Sequence, residues 1–213
     1  MKNVLVIGAG RFGLHTTMKL HELGNQIMVI DKDEERIKHI LPYASDAQIG
    51  DSTDEEFLET LGISDYDLCI VAIGDNFLAS LETTFLLSEL GAQKIVARAT
   101  KATQEKFLLR NGATDVVFPE RELGHWTAIR YSSDNMSNFF ELQDDYSIME
   151  VKVPHAWNNK SVGELDVRNK HLINILGVRE EHLSLEISPE TILHDGQTLL
   201  VLGKNELLRK TFL

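Results

Sequence analysis

The sequence predicts an α/β chain, with a doubly wound parallel sheet followed by a small α+β lobe. Three observations predict it. The apolar run at residues 4–7 leads straight into Gly8-Ala9-Gly10-Arg11-Phe12-Gly13, a Gly-x-Gly-x-x-Gly turn after which a helical pattern begins at once. A second apolar run, Gln26–Asp31, ends in an acid 23 residues beyond Gly8. In all, about six short apolar runs alternate with helical patterns up to residue 120, the rhythm of a parallel sheet covered on both faces. This is the Rossmann arrangement.

Composition sets the outer bounds. A chain of 213 residues holds one large core, or a nucleotide-sized domain and a small second one. The apolar share of 43% and charged share of 25% are those of an ordinary soluble globule. Acids outnumber bases 33 to 21, for a formal charge of −12, and no basic stripe is available to release counterions from a nucleic acid. Nucleic acid is therefore excluded as the main partner. Cys69 is the only cysteine and lies in an apolar run, which rules out intrachain disulfides and thiolate metal sites and reads as a buried, inert thiol. No run is long enough to span a membrane and none resembles a signal peptide, so the chain is expected in the cytoplasm.

The elements follow in order. Residues 33–41 read as a short helix, and 47–50 as a strand. Ser52 and Thr53 each have an acid three residues on, a capping-box signature for the next helix. Residues 66–74 form a near-continuous apolar run, as a central parallel strand requires. Helix at 77–90, strand at 94–99, helix at 103–111 and strand at 116–118 come next, then a helix from Pro119 to about Tyr131. Residues 132–138 are polar and read as a boundary loop, which gives domains of 1–138 (with the crossover helix) and 139–213. The second domain alternates strands at 146–153, 173–178, 183–187 and 198–203 with a short helix at 161–165 and a terminal helix at 206–212. At about 70 residues it is near the lower limit for an independent core, which favours pairing with a second copy.

Ligands of such sheets bind outside the carboxyl ends of the strands. Gly8, Asp31, Asp51, Gly74, Asp75, Arg98 and Glu120 all fall at or just past those ends. Gly8 allows the tight turn, Gly10 an approach of pyrophosphate to the backbone, and Gly13 close packing of helix on strand. The helix N-terminus then presents free N–H groups and a positive dipole end to phosphate. Asp31 is placed to accept the ribose hydroxyls, and its charge disfavours a 2′-phosphate; the alternative is a solvated acid capping the next helix. Arg11 sits in a first helical turn, where the dipole does not favour a cation, unless phosphates lie beside it.

The stretches Gly-Ala-Gly-Arg-Phe-Gly (8–13), Val-Ile-Asp (29–31), Val-Ala-Ile-Gly-Asp-Asn (71–76) and Phe-Pro-Glu-Arg-Glu-Leu-Gly (118–124) resemble the KTN domain, or RCK N-lobe, of bacterial potassium-uptake regulators. The pattern Pro189, Leu193, Gly196, Leu199, Val201 and Gly203 resembles the RCK C-lobe of the same proteins, so the likeness (TrkA-N followed by TrkA-C) covers essentially the whole chain. The resemblance implies regulation rather than catalysis. It implies an octameric ring that docks on an integral-membrane potassium channel subunit at the inner face of the cell membrane. It further implies ATP and ADP in each Rossmann site and, in some members, cyclic di-AMP between paired C-lobes.

Carried onto this chain, the resemblance gives Arg11 the terminal phosphates, including those of a neighbouring subunit. Arg98 contacts phosphate or, alternatively, forms a structural salt bridge. Glu120 is matched to an acid that holds Mg²⁺ or Ca²⁺ between two ATP-loaded subunits, or else is an N-terminal helix acid favoured by the dipole. Phe12, Lys32, Asp51, Ser52, Ala72, Ile73, Gly74 and Asn76 complete the expected adenosine and phosphate cleft, against ordinary strand-end turn chemistry. In the C-lobe, Arg168 is matched to a phosphate of cyclic di-AMP, and Ile173, Asn174 and Ile175 to its adenine; the alternative is an interface strand. The eight histidines show no metal spacing.

The competing class is an NAD(H)-dependent oxidoreductase. It needs a proton donor and a substrate site beside the nicotinamide. No Tyr-x-x-x-Lys occurs, the second lobe is small for a substrate domain, and no Gly-x-x-x-x-Gly-Lys-Ser/Thr loop supports a nucleotide hydrolase. No catalytic residue is expected.

Overall fold

The computed structural model describes residues 1–213, in two compact units, Met1–Arg121 and Glu122–Leu213. In the first, β1 (Asn3–Ile7), β2 (Gln26–Asp31), β3 (Asp46–Ile49), β4 (Leu68–Val71), β5 (Ile95–Arg98) and β6 (Asp115–Val117) form one parallel sheet in the order β3-β2-β1-β4-β5-β6. The helices are α1 (Arg11–Glu22), α2 (Glu34–Ile40), α3 (Glu55–Glu59), α4 (Phe77–Glu89), α5 (Ala102–Arg110) and α6 (Pro119–Arg130).

Strand alternation divides the apolar side chains between two cores, which is why the strands read as unbroken apolar runs. Leu5, Ile7, Ile30, Cys69, Val71, Ile95 and Ala97 face one side, where Leu58, Leu87 and Leu108 from α3, α4 and α5 cover them. Val4, Val6, Ile27, Val29 and Ile70 face the other, covered by Phe12, Leu14 and Leu20 of α1 and Ile37 and Ile40 of α2. Cys69 is fully buried in the first of these, and burial pushes its thiol up to about 12, so the thiol stays neutral at physiological pH. The strand order reverses between β1 and β4, which opens the crevice that ligands of this topology use.

In the second unit β7 (Met136–Glu141), β8 (Tyr146–Lys152), β9 (Lys160–Ser161), α7 (Val162–Leu165), α8 (Val167–His171), β10 (Asn174–Arg179), β11 (Leu183–Ser184), β12 (Ile192–Leu193), β13 (Thr198–Lys204) and α9 (Asn205–Phe212) follow in order. Five strands make an antiparallel sheet, β11-β10-β13-β8-β7, and β12 pairs with β9. One face of the sheet is dry. Met149, Val151, Leu199 and Val201 pack there with Leu208 and Phe212 of α9, and Trp157 meets Phe212 edge-on with ring centroids 5.4 Å apart.

Three local expectations are corrected. The helix after β3 is capped by Asp54, whose carboxylate accepts from the Phe57 amide; Ser52 and Thr53 turn their hydroxyls to Thr83 and Asp51 instead. The loop expected at 132–138 ends early, because β7 begins at Met136 and carries a bulge before Asn138. The strand expected at 183–187 is only two residues long. The two compact units divide inside α6, between Arg121 and Glu122. No helix is long and apolar enough to cross a membrane.

Candidate functional site

The β1–α1 turn is built by its glycines in three different ways. Gly8 takes φ +100°, donates its amide to the Ile30 carbonyl at 2.8 Å, and lies so near β4's exit that an added Cβ would sit 3.2 Å from the Ala72 carbonyl carbon. A Cβ on Gly13 would fall 1.9 Å from the Gly8 carbonyl oxygen, which no side chain tolerates. Ala72, itself buried, closes the floor beneath both. Gly10 differs. It is the N-cap of α1, in extended conformation and with no side-chain cap, and a Cβ there would meet only the tip of Arg36 at 3.9 Å. The first-turn N–H groups of this 12-residue helix thus face an open approach, with no acid in that turn to answer them.

Asp31, at the end of β2, is 7% exposed. Its Oδ2 accepts from the Ala9 amide at 2.7 Å and its Oδ1 from the Asp33 amide at 2.9 Å, so one carboxylate ties the β1–α1 and β2–α2 turns together. Arg36 approaches the same Oδ2 at 3.6 Å and Asp33 at 3.5 Å. Asp31 is therefore no solvated cap; that role falls to Asp33, which accepts from the Glu35 and Arg36 amides. Each Asp31 oxygen accepts one of these hydrogen bonds and keeps a second lone pair, with Arg36 near Oδ2. Arg36 was not foreseen from the sequence, although it carries the same signal as Arg11, a cation in a first helical turn. Lys32 is exposed beside it.

On the same side of the crevice, just past β3, Asp51 accepts from the amide and hydroxyl of Thr53, and these bonds, with the charge of Lys32, hold its carboxyl below the usual range. Ser52 is buried against Thr83 and Asn76 caps α4 through the Ala79 amide, so both side chains are spent on structure. Ile73 packs on the core, and Gly74 makes room for Arg98, whose Nη1 would be 2.4 Å from a Cβ at that position.

Arg98 is held from several sides. It leaves the end of β5, passes over Gly74, lies 5.6 Å from the centroid of the Phe12 ring, and pairs through Nη2 with Oε1 of Glu120. Its Nε is buried without a hydrogen-bond partner. Glu120 follows Pro119, which starts α6, a favoured place for both residues. Partial desolvation alone would raise the Glu120 carboxyl, but its own backbone amide, the Arg98 guanidinium and the charge of Arg11 together bring it below the usual range. Arg11 is exposed. No group of three or more His, Cys, Asp or Glu side chains that could hold a metal ion comes together.

In the second unit Arg168 is exposed on α8, and Asn174 and Ile175 are half-buried on β10. Ile173 is fully buried in that unit's core, against Gly203 of β13, and offers a ligand only its backbone. A shallow cleft of about 290 Å³ opens between α8 and α9, walled by Trp157, Lys170, Leu172 and Lys210; neither Arg168 nor Asn174 lines it.

A parallel sheet in this strand order, with an unprotected helix N-terminus at a glycine turn and a separate antiparallel lobe, defines the class of two-domain Rossmann proteins. The TrkA-N domain family matches residues 4–119, and the TrkA-C domain family matches residues 148–212. The chain is 37% identical over 204 residues to Ktr system potassium uptake protein C of Bacillus subtilis, covering 95% of this chain and 92% of that one. It is 34% identical over 210 residues to Ktr system potassium uptake protein A of the same organism, at 98% and 95% coverage. The chain belongs to the TrkA-N/TrkA-C (RCK) family of potassium-uptake proteins. Among solved structures, the GsuK channel bound to NAD superposes with a TM-score of 0.66 at 21% identity, covering 97% of this chain and 38% of that chain. The GsuK structure bound to ADP gives 0.53 at 19% identity, covering 62% and 35%. At these identities the likeness shows the fold.

The glycine geometry makes a direct prediction for thermal unfolding. Gly13→Ala should lower the midpoint by more than about 5 °C, the effect of a clash of roughly 2 kcal/mol in a unit of this size. Gly10→Ala should stay within about 2 °C of the native chain, as an unobstructed surface position does. Equal effects at the two positions would contradict the placement of the turn.

Proposed function

We propose that the chain is a nucleotide-sensing regulatory subunit of a potassium-uptake system, without chemistry of its own, and that ATP and ADP are its ligands. The observation that carries this reading is the juxtaposition of an uncapped α1 N-terminus, open at Gly10, with the guanidinium of Arg98 at the carboxyl edge of one sheet. Anions suit that edge. The relatives' names supply the potassium-uptake context, and the neighbours with bound NAD and ADP support an adenine nucleotide.

The residues present fit such a ligand. The α1 amides and Arg98 would hold phosphate, and Asp31 would take the ribose through its remaining lone pairs. Asp51, Lys32, Ala72, Ile73 and Gly74 would border the adenosine. Arg36 is already engaged by Asp31 and Asp33, so it does not offset the repulsion between Asp31 and a 2′-phosphate. A divalent cation would neutralise phosphate charge. Glu120 is a suitable oxygen donor for Mg²⁺ or Ca²⁺, and with no cluster of three or more acidic, His or Cys side chains to complete a site it would share the ion with phosphate oxygens and a second copy of the chain. Arg11, exposed near Glu120, would serve the same shared phosphates. NAD(H) is the second ligand reading; it rests on the neighbour with bound NAD.

Assembly and location follow from the same reading: a ring of dimers, octameric, docked on an integral-membrane potassium channel subunit at the cytoplasmic face. Paired second lobes would hold cyclic di-AMP, each Arg168 meeting one phosphate and each Asn174–Ile175 edge one adenine, while Ile173 only fixes the strand. A two-fold ligand suits a two-fold interface.

Calorimetric titration tests the N-terminal site. ATP and ADP should bind at least about tenfold, or roughly 1.4 kcal/mol, tighter than NADP. Mg²⁺ or Ca²⁺ should tighten ATP far more than ADP, and Glu120→Gln should remove most of that difference. Tighter NADP binding, or a cation dependence unchanged in the variant, would overturn the assignment.

The second lobe is tested separately. Arg168→Ala should weaken cyclic di-AMP by about tenfold or more, as loss of a charge-assisted contact on both sides of a dimer implies, with ATP affinity unchanged. Full-length native chain that gives neither heat nor a melting shift with cyclic di-AMP would reduce the lobe to an assembly module.

A further inference from the structure

Arg98 and Glu120 are bound to each other at the place where the preceding reading needs both of them free. The pair is lopsided. The Arg98 side chain is 20% exposed and confined on three sides: β5 fixes its root, Gly74 lies under Nη1, and the Phe12 ring lies beside the guanidinium. Its Nε is sealed off without an acceptor, so further hydrogen bonds to it must come through the Nη groups, one of which Glu120 occupies. Glu120 is 56% exposed at the start of a helix and free to turn into solvent. Of the two partners, the carboxylate is the one that can leave.

We propose that the Arg98–Glu120 ion pair is a latch opened by nucleotide phosphate, so that phosphate at the sheet edge displaces the carboxylate and thereby delivers Glu120 to a cation. This rests on reading the edge as a nucleotide site. Physically, one guanidinium with a buried Nε serves two anions in turn. Without phosphate it neutralises Glu120. A phosphate carries more charge and offers more acceptor oxygens, so it outcompetes a half-exposed carboxylate for the Nη donors. The displaced carboxylate then lies beside new negative charge, a position that repels it unless a divalent cation intervenes. Cation binding becomes conditional on nucleotide, and the order of events is built into one side-chain pair. Arg11 adds positive charge close to Glu120.

The test is a double-mutant cycle on the full chain, read by calorimetric titration of ATP in excess EDTA. Glu120→Gln removes the competitor and should tighten metal-free ATP by about fivefold, the scale of a half-exposed pair that no longer has to be broken. In an Arg98→Gln background the same Glu120→Gln change should give no gain, because the competition runs through Arg98. Arg98→Lys, which keeps the charge without the fork, should retain part of the gain and guards against a folding defect in Arg98→Gln. A gain of equal size in both backgrounds would show simple charge repulsion and overturn the latch. So would an ATP affinity that Glu120→Gln leaves unchanged. A native chain that binds none of ATP, ADP and NAD fails the nucleotide reading itself, an outcome distinct from either of these.

Discussion

The buried carboxylate of Asp31 holds the ligand edge of the first unit together. Its two oxygens accept from amides that belong to different turns, Ala9 in the glycine loop and Asp33 at the start of α2. Charge-assisted bonds of this kind contribute about 1.5–3 kcal/mol each, and leaving such a carboxylate unpaired in a buried position would cost more. The glycine turn is therefore fixed by bonds within the chain itself. Gly8 and Gly13 give the turn its shape through close backbone approach, and Asp31 gives it its position relative to β2.

Once that turn is set, the remaining features of the edge follow from charge. The α1 amides face outward uncapped, Arg36 is drawn toward Asp31 and Asp33, and Arg98 is threaded over Gly74 to reach Glu120. Positive groups thus converge on one edge of a chain whose formal charge is −12. The second unit is organised differently. Its one-sided antiparallel sheet needs α9 to cover the apolar face, and that cover accounts for Trp157, Leu208 and Phe212 in its core.

The fold was legible because each strand of the first unit is a dry apolar run and each turn has a distinctive residue. The six parallel strands and their strand-end residues lie where the spacing places them, with Gly8, Asp31, Arg98 and Glu120 all at carboxyl ends. What the sequence hid was who bonds to whom. Ser52 and Asn76 look like ligand groups in a cleft but are consumed by Thr83 and by the α4 cap. Ile173 looks like an exposed strand residue but lies just before β10 and is fully buried in the core. Arg36 is hidden in an acidic run, and its pairing with Asp31 depends on the β2–α2 turn rather than on spacing. β7 was missed because Ser137 and Asn138 extend the polar run that precedes it and a bulge interrupts its pairing with β8 there.

The dependence of the edge on Asp31 can be measured directly by amide hydrogen exchange in the ligand-free chain and in Asp31→Ala. If the carboxylate fastens the glycine turn, the Ala9 amide should be protected in the native chain much as Val6 in β1 is. In the variant its protection should fall by at least about tenfold, the loss of one charge-assisted bond, while Val6 stays protected. Unchanged Ala9 protection in Asp31→Ala would show that strand packing alone holds the turn, and would contradict the account.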